Sequence, residues 1–401
     1  MTPLLQLLLI LCIILVAAKM SGLIALRLGQ PAVLGELAAG VVLGPSVIDI
    51  FGLDFVSDRH LEETVHLLAE LGVIFLMFLA GLETDLAEVN KVRRVAIFAG
   101  TMGVIAPIAL GFVGTLPYDY PAKESFFIGI ILSATSVSIS ARTLMELGVL
   151  QGRQGISILA AAVIDDVLGI LVLSVFIAFA ASDGGGGTVD VIWIVLRMGL
   201  FFIAAFLVGH YLLPVLARWT ANVPITEGVL SMAIVVALFG AWFAEYVGEV
   251  AVITGSFLAG VFLRRTEAHY IIDERLHALS YGFFVPIFFV GVGLQADAGD
   301  LSTGDIGLLV LICAIAIVSK VIGCGLGAYA GGENFRSSLQ IGTGMISRGE
   351  VGLIVASVGL SNGIIQRDLF AIMVLMVLVT TLVTPILLKI VFAQPREVQH
   401  A

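Results

Sequence analysis

Charged side chains are scarce in this sequence. They make up 12% of 401 residues, against 59% hydrophobic ones. A soluble domain carries about 25% charged residues, so an ordinary soluble fold is excluded and a polytopic membrane protein with little mass outside the bilayer is implied. Cysteine is nearly absent. Cys12, Cys313 and Cys324 lie in apolar segments with no histidine or second cysteine at ligand spacing, which excludes a disulfide framework and a cysteine metal centre. The 6 histidines are scattered, which argues against haem or zinc and predicts no cofactor. Basic residues are the minority, 20 against 30 acidic, and the net charge of −10 argues against a nucleic-acid partner and a polybasic lipid-binding surface. The apolar run from Pro3 to Ala18 follows no basic leader and precedes no small-residue cleavage motif, so it reads as a first span, not a signal peptide.

What is abundant is apolar sequence in helix-length blocks. At about 20 residues per crossing, gaps at Gly, Pro and charge clusters divide the chain into about thirteen spans. These are 4–25, 32–51, 65–86, 95–116, 125–147, 155–181, 189–216, 228–247, 251–264, 274–295, 304–330, 337–361 and 368–392. The predicted fold class is an all-α polytopic membrane protein. Arg27, Lys91, Arg93, Arg94, Arg153, Arg218, Arg264, Arg265, Arg275, Arg336 and Arg396 fall on one side of this arrangement. Asp54, Asp58, Glu62, Glu63, Asp119, Asp183, Asp190, Glu249, Asp297, Asp300 and Asp305 fall on the other. The positive-inside rule then places the N-terminus outside and the C-terminus in the cytoplasm, which requires an odd number of spans.

The chain echoes itself. Gly35 to Leu43 (GELAAGVVL) resembles Gly255 to Leu263 (GSFLAGVFL), each after an Ala-Val start, with one gap. Gly81-Leu82-Glu83-Thr84-Asp85 resembles Gly293-Leu294-Gln295-Ala296-Asp297. Both pairs lie seven spans apart, and an odd offset reverses the copy in the membrane. The expected organisation is a first six-helix repeat over 1–181, a linker helix within 182–227 and a second, inverted six-helix repeat over 228–401. Inverted repeats are a mark of secondary transporters, whose sites sit at mid-depth on broken helices.

Three charges stand where hydrocarbon is expected. Asp165 and Asp166 interrupt the sixth span, and Lys320 sits in the middle of the eleventh. A central carboxylate costs about 2.5–3.5 kcal/mol to insert, so it is by default a functional group. The two aspartates are about 100° apart around a helix, so one can face a water-filled cavity while the other faces a neighbouring helix. Lys320 is the natural counter-charge. Burial and a carboxylate partner act on a lysine in opposite senses, so it can exchange a proton near physiological pH. The hydroxyl-rich run Ser133 to Ser140, with Thr135 and Ser136, predicts a bent or broken fifth span whose freed carbonyls could ligate a cation. Its counterpart in the twelfth span is Gly342 to Gly352, where glycines permit unwinding and Arg348 and Glu350 neutralise broken-helix dipoles or each other. Glu36, Glu70 and Glu83, at or near span ends, read as gating or structural residues. Arg197 stands alone in the linker span and needs a carboxylate partner, and Pro286 should kink the tenth span.

Ala134-Thr135-Ser136-Val137 with Ala141-Arg142, then Val163-Ile164-Asp165-Asp166-Val167-Leu168-Gly169, then Ser319-Lys320, then Ser347-Arg348-Gly349-Glu350-Val351-Gly352-Leu353 together resemble the bacterial monovalent cation:proton antiporter family. Within it the chain is most similar to electrogenic Na+/H+ antiporters with a paired-aspartate motif. The resemblance implies a core domain built on two crossing discontinuous helices, a separate dimerisation domain, a homodimer, and residence in a bacterial or archaeal plasma membrane. It also implies that Asp166 is the main cation- and proton-binding carboxylate and that Asp165 is the partner of Lys320. Thr135, with Ser136, would line the site, and Arg348 and Glu350 would shape the crossing. Potassium-efflux relatives carry Gln-Asp and a nucleotide-binding regulatory domain, and this chain departs from both. The expectation is therefore proton exchange for Na+, with Li+ as a further cargo, membrane lipid as surroundings, and no nucleotide control. A K+/H+ antiporter of the same fold is the alternative. A subunit of a proton-pumping redox enzyme would need cofactor ligands, and a bile-acid-type symporter would lack the Asp-Asp and Lys set.

Overall fold

A backbone in hydrocarbon must satisfy its own N–H and C=O groups, and the apolar blocks do so as helices. The computed structural model describes residues 1–393 except 54, 55, 57, 59, 85, 119, 182–186, 224 and 296–305. In chain order the helices are α1 (Pro3–Arg27), α2 (Ala32–Leu43), α3 (Leu61–Glu83), α4 (Leu86–Thr115), α5 (Ala122–Ser133), α6 (Val137–Glu146), α7 (Arg153–Ala181), α8 (Gly187–Leu207), α9 (Leu213–Asn222), α10 (Gly228–Tyr246), α11 (Val252–Leu263), α12 (His269–Leu279), α13 (Val285–Leu294), α14 (Ile306–Ala330), α15 (Phe335–Gly344), α16 (Gly349–Ser361) and α17 (Arg367–Phe392). No strand occurs among the described residues. Among them, 10 helices are long and apolar enough to cross a membrane, and Ala32–Leu43, Val252–Leu263 and Val351–Leu360 are shorter apolar helices. This is the architecture of an all-helical multi-pass membrane protein.

Several boundaries differ from the sequence expectation, each for a local reason. The second span stops at Leu43 because Gly44-Pro45 cannot continue a helix, and the chain turns back through Val47 N–H to the Gly44 carbonyl, 3.2 Å. At Pro286 the backbone widens by one π turn over Ser280–Phe284, just ahead of the proline. The ring would clash with the carbonyl four residues back, at Gly282, and the wider turn relieves that clash. The same device recurs at Val208–Leu212 ahead of Pro214, which joins α8 to α9. Arg197 finds its carboxylate in Glu249, Nη1 to Oε1 2.5 Å.

Helix pairing falls into two groups. α1, α2, α3, α10, α11 and α13 pack among themselves, with α2 on α13 and α11 on α3. α4 packs on α5, α7 and α14, and α15, α16 and α17 complete that second group. Small residues let these backbones approach. A Cβ at Gly40 would collide with the Val290 carbonyl and lie 2.8 Å from Gly293 Cα. A Cβ at Gly260 would collide with the Phe78 carbonyl and lie 2.8 Å from Leu82 N, while one at Gly81 would collide with the Phe257 carbonyl. Gly40 and Gly260 are matched in the sequence echo, as are Gly81 and Gly293, so matched glycines occupy matched contacts. Asp85 and Asp297 of that echo lie outside the described residues.

Three basic residues at helix ends are tied to the ends of other helices. Arg153 Nε bonds Glu333 Oε1 at 2.6 Å, Arg264 Nη1 bonds the Leu82 carbonyl at 3.0 Å, and Arg336 Nη2 bonds the Ala393 carbonyl at 3.0 Å. Of the charges used to orient the chain, Asp54, Asp119, Asp183, Asp297, Asp300, Asp305 and Arg396 lie outside the described residues.

Gly40→Val and Gly260→Val should each destabilise the fold by about 1–3 kcal/mol through overpacking. Gly199→Ala should not, because a Cβ there meets nothing within 4 Å. Thermal unfolding of the detergent-solubilised protein reads all three. Equal midpoints for the valine variants and the unmutated chain would contradict the close approach.

Candidate functional site

Two helices break at mid-length, and the breaks touch. α5 stops at Ser133, whose hydroxyl donates back to the Ile130 carbonyl at 2.8 Å, and α6 restarts at Val137. Such back-bonding competes with the helical ladder. α15 stops at Gly344 and α16 restarts at Gly349. Across the crossing, Ser136 N–H donates to the Ser347 carbonyl at 2.8 Å and Ser140 Oγ donates to the Gly344 carbonyl at 2.6 Å. Gly349 has φ +41°, and a Cβ on it would run into Ser136. Any other residue there would be both strained and too large.

Four half-helix ends therefore meet, with partial negative charge on the ends of α5 and α15 and partial positive charge on the starts of α6 and α16. Arg348, fully buried, answers the negative end of α15. Its Nη1 donates to the Met345 and Ile346 carbonyls at 3.2 and 2.9 Å. Its Nη2 reaches the Ala316 carbonyl on α14 at 2.6 Å. The side chain of Glu350 lies outside the described residues.

The paired aspartates on α7 part company. Asp165 turns to α14, where Oδ1 is 2.7 Å from Lys320 Nζ, and both side chains are buried at 2% and 0% exposure. α4 makes room for that pair: a Cβ on Gly103 would lie 2.9 Å from Asp165 Oδ1 and 3.3 Å from Lys320 Nζ. Asp166 turns instead to a narrow cleft of about 10 Å³, room for roughly one water. Among the described residues that line it, Asp166 and Thr254 are the polar ones. The rest is apolar, including Met77, Val137, Leu159 and Phe257. The Thr254 hydroxyl lies 3.4 Å from Asp166 Oδ2.

Thr135 and Ser136 are buried in the α5–α6 break. Thr135 Oγ1 is 3.4 Å from the Ser133 carbonyl and Ser136 Oγ is 2.9 Å from Ser138 Oγ. Neither is in the cleft lining, which α6 enters at Val137, the next residue along. Of the acidic residues at span ends, Glu36 is buried and Glu70 is exposed beside His66, 3.5 Å away. Near Glu36, Glu146 accepts the Ala32 N–H at 2.7 Å and pairs with Arg142 at 2.8 Å, and the Arg142 guanidinium lies 4.1 Å from the Tyr281 ring centroid. Sequence reasoning missed Thr254 and Gly103, and it read Gly349 as part of the glycine-rich break without its contact with Ser136. Thr254 did leave a trace, since it is the extra residue that forces the gap in the repeat.

A family model described as "Sodium/hydrogen exchanger, transmembrane" matches residues 10–394. The chain is 37% identical over 389 residues to the Na(+)/H(+)-K(+) antiporter GerN of Bacillus cereus, covering 97% of each. It is 36% identical over 380 residues to a Na(+)/H(+) antiporter of Enterococcus hirae, covering 95% of this chain and 96% of the other. Among solved structures, the sodium proton antiporter MjNhaP1 of Methanocaldococcus jannaschii superposes with a TM-score of 0.71 at 18% identity, over 97% of this chain and 96% of the other. That likeness speaks for the fold alone.

Removing one member of a buried ion pair leaves an uncompensated charge, at a cost of about 3–5 kcal/mol, whereas removing both is often neutral. Lys320→Met should therefore lower the thermal midpoint sharply, and adding Asp165→Asn should restore most of it. A double variant no more stable than Lys320→Met would mean the pair is not coupled in the folded protein.

Proposed function

The chain belongs to the sodium/hydrogen exchanger family, and from that membership we propose that it is a secondary antiporter exchanging protons for Na+ at Asp166. The observation that carries this reading is a buried carboxylate facing a cleft of single-water size while its neighbour is neutralised by a lysine. Asp166 can hold either a proton or a small cation, and neither can bind while the other is present. Occupancy by one expels the other, and that competition couples the two flows. Li+ is a second cargo of the same kind. The printed name of the Bacillus relative includes K+, and a K+/H+ exchange by the same fold is the alternative reading.

The chain organisation follows from the same proposal. Residues 1–181 and 228–401 are inverted six-helix repeats joined through 182–227, and the Gly40–Gly293 approach of α2 on α13, matched by the approach of α11 on α3 at Gly260 and Gly81, supports this. The group containing α4 to α7 and α14 to α17 is the ion-carrying core. The group containing α1 to α3 and α10 to α13 is the scaffold through which two copies dimerise, with the lipid-exposed faces of α1 and α10 as the interface. By the positive-inside rule the helix ends bearing Arg153, Arg264 and Arg336 are cytoplasmic, and the N-terminus is outside. Thr135 and Ser136 contribute to the site from the break beside the cleft, and Arg348 and Glu350 hold the crossing.

Asp166→Asn should abolish Na+-dependent proton flux in proteoliposomes while leaving a monodisperse protein, because an amide neither takes up the proton nor balances the cation. In the unmutated protein the apparent KM for Na+ should rise as pH falls, since protons occupy the same oxygens. Substantial exchange by the Asn variant, or a KM independent of pH, would remove Asp166 from this role.

Transport should also be electrogenic, with Lys320 as the second proton carrier. If Na+ at Asp166 breaks the Lys320–Asp165 bridge and the lysine sheds its proton, two protons exchange for one Na+. A potential worth about 2.3 kcal/mol per charge per 100 mV then drives the exchange. A potassium-diffusion potential at equal pH on both sides should move Na+ in the direction set by its sign, and Lys320→Gln should lose that response more than it loses exchange. Na+ movement indifferent to the sign of the potential would make the exchange electroneutral.

A further inference from the structure

The cleft below Asp166 poses a coordination problem. A cation entering it leaves water and must regain oxygen ligands from the protein, yet among the described residues the lining offers only two polar side chains, Asp166 and Thr254. Thr254 sits in the first turn of α11, is 2% exposed, and sends its hydroxyl to within 3.4 Å of Asp166 Oδ2. That separation is long for a hydroxyl–carboxylate hydrogen bond, whose usual range is about 2.5–3.0 Å. It is, however, the spacing of adjacent ligands around a small cation. Two oxygens each about 2.4 Å from an ion, a distance within the range for Ca2+, which is close to Na+ in size, subtend about 90° when 3.4 Å apart.

We infer that Thr254 is a ligand to the transported cation and a determinant of its size selectivity, on the reading that Asp166 is the exchange carboxylate. The hydroxyl oxygen and Asp166 Oδ2 bracket an ion of Na+ size. A larger ion such as K+, with longer metal–oxygen distances, can reach both oxygens only from farther out and at an angle below about 90°, where a cleft of about 10 Å³ gives it less room. Thr254 also belongs to the opposite helix group from Asp166, since α11 packs on α3 and α10 whereas α7 packs on α4. The ligand therefore reaches the ion only while those two groups are apposed here, and it is withdrawn when they separate. Within the sequence echo Thr254 has no counterpart before Gly35, as expected of a residue kept for the cargo and not for the helix packing that the two copies share.

The test compares Thr254→Val, Thr254→Ala and Thr254→Ser with the unmutated protein. Each is assayed in proteoliposomes with Na+, Li+ and K+ in turn, and in detergent by Na+-dependent thermal stabilisation. Valine keeps the shape and removes the oxygen. It should raise the apparent KM for Na+ and the half-stabilising Na+ concentration by about tenfold, the loss of roughly one hydrogen bond's worth of interaction. The maximal rate at saturating Na+ and the KM for K+ should change little, and serine should restore the unmutated values. Should valine prove poorly folded, alanine carries the same expectation. The inference is overturned if the oxygen-lacking variants keep a Na+ KM within twofold of the unmutated protein, or if serine loses as much as valine. Absence of any Na+-driven flux in the unmutated protein would instead defeat the reading of Asp166 itself, so the two failures are distinct.

Discussion

Every polar group inside the bilayer must find its partner within the protein, because hydrocarbon offers none and an orphaned backbone group costs several kcal/mol. Two broken helices at mid-depth violate that demand unless each repairs the other. The α5 and α15 breaks do this directly, Ser136 N–H to the Ser347 carbonyl and Ser140 Oγ to the Gly344 carbonyl. Because both bonds cross from one break to the other, neither helix can be broken alone. The crossing also explains Gly349, whose positive φ and contact with Ser136 leave space only for hydrogen. From this constraint the rest of the interior follows.

Charge in the interior is distributed according to what the crossing exposes. The end of α15 presents carbonyls with nothing further along the helix to satisfy them, and Arg348 is the donor that meets them. By reaching the Ala316 carbonyl as well, it ties the crossing to α14, one turn before Lys320. Lys320 in turn holds Asp165 on α7. A run of contacts thus leads from the helix breaks to the carboxylates, and each charged member of it has a partner close enough to offset part of its desolvation. Close packing of α4 on α7 and α14 is the condition for this, and Gly103 supplies it beside the ion pair.

Much of this was legible before any coordinates. Charges at bilayer depth announce themselves because nothing else in such a sequence resembles them, so Asp165, Asp166, Lys320 and Arg348 were readable one by one. Hydroxyl and glycine runs marked both breaks. Adjacent positions on a helix must diverge, and the structure turns Asp165 to α14 and Asp166 to the cleft. What was not legible depends on juxtaposition. Thr254 shows in the sequence only as the extra residue in the repeat, and its role is not readable until α11 is seen beside α7. Gly103 is one glycine among 45, and its meaning lies in which atoms stand opposite. The π turns ahead of Pro214 and Pro286 were read only as a kink at the second, since sequence shows where a helix is disturbed but not how the backbone absorbs the disturbance.

The separation of the two aspartates also bears on how exchange avoids becoming a leak. With Asp165 and Lys320 paired, their charges cancel, and the net charge of the site rests on Asp166. On the proposal that Asp166 is the exchange carboxylate, it leaves the site neutral when it holds a proton or a monovalent cation, and negative when empty. On that proposal, moving the empty form past the apolar side chains that line the cleft is opposed, whereas both loaded forms pass without that cost. A strict one-for-one exchange would then carry no net charge. A second proton in the proposed exchange would have to come from a group near this site, and near Asp165 the described residues include Lys320, Cys324 and Arg348. Arg348 is committed to three carbonyls, and deprotonating it would orphan them together. Cys324 forms no charge-assisted contact comparable to the 2.7 Å bridge that ties Lys320 to the α7 carboxylates. That proposal singles out Lys320, which is held to Asp165 by one contact, one residue from Asp166.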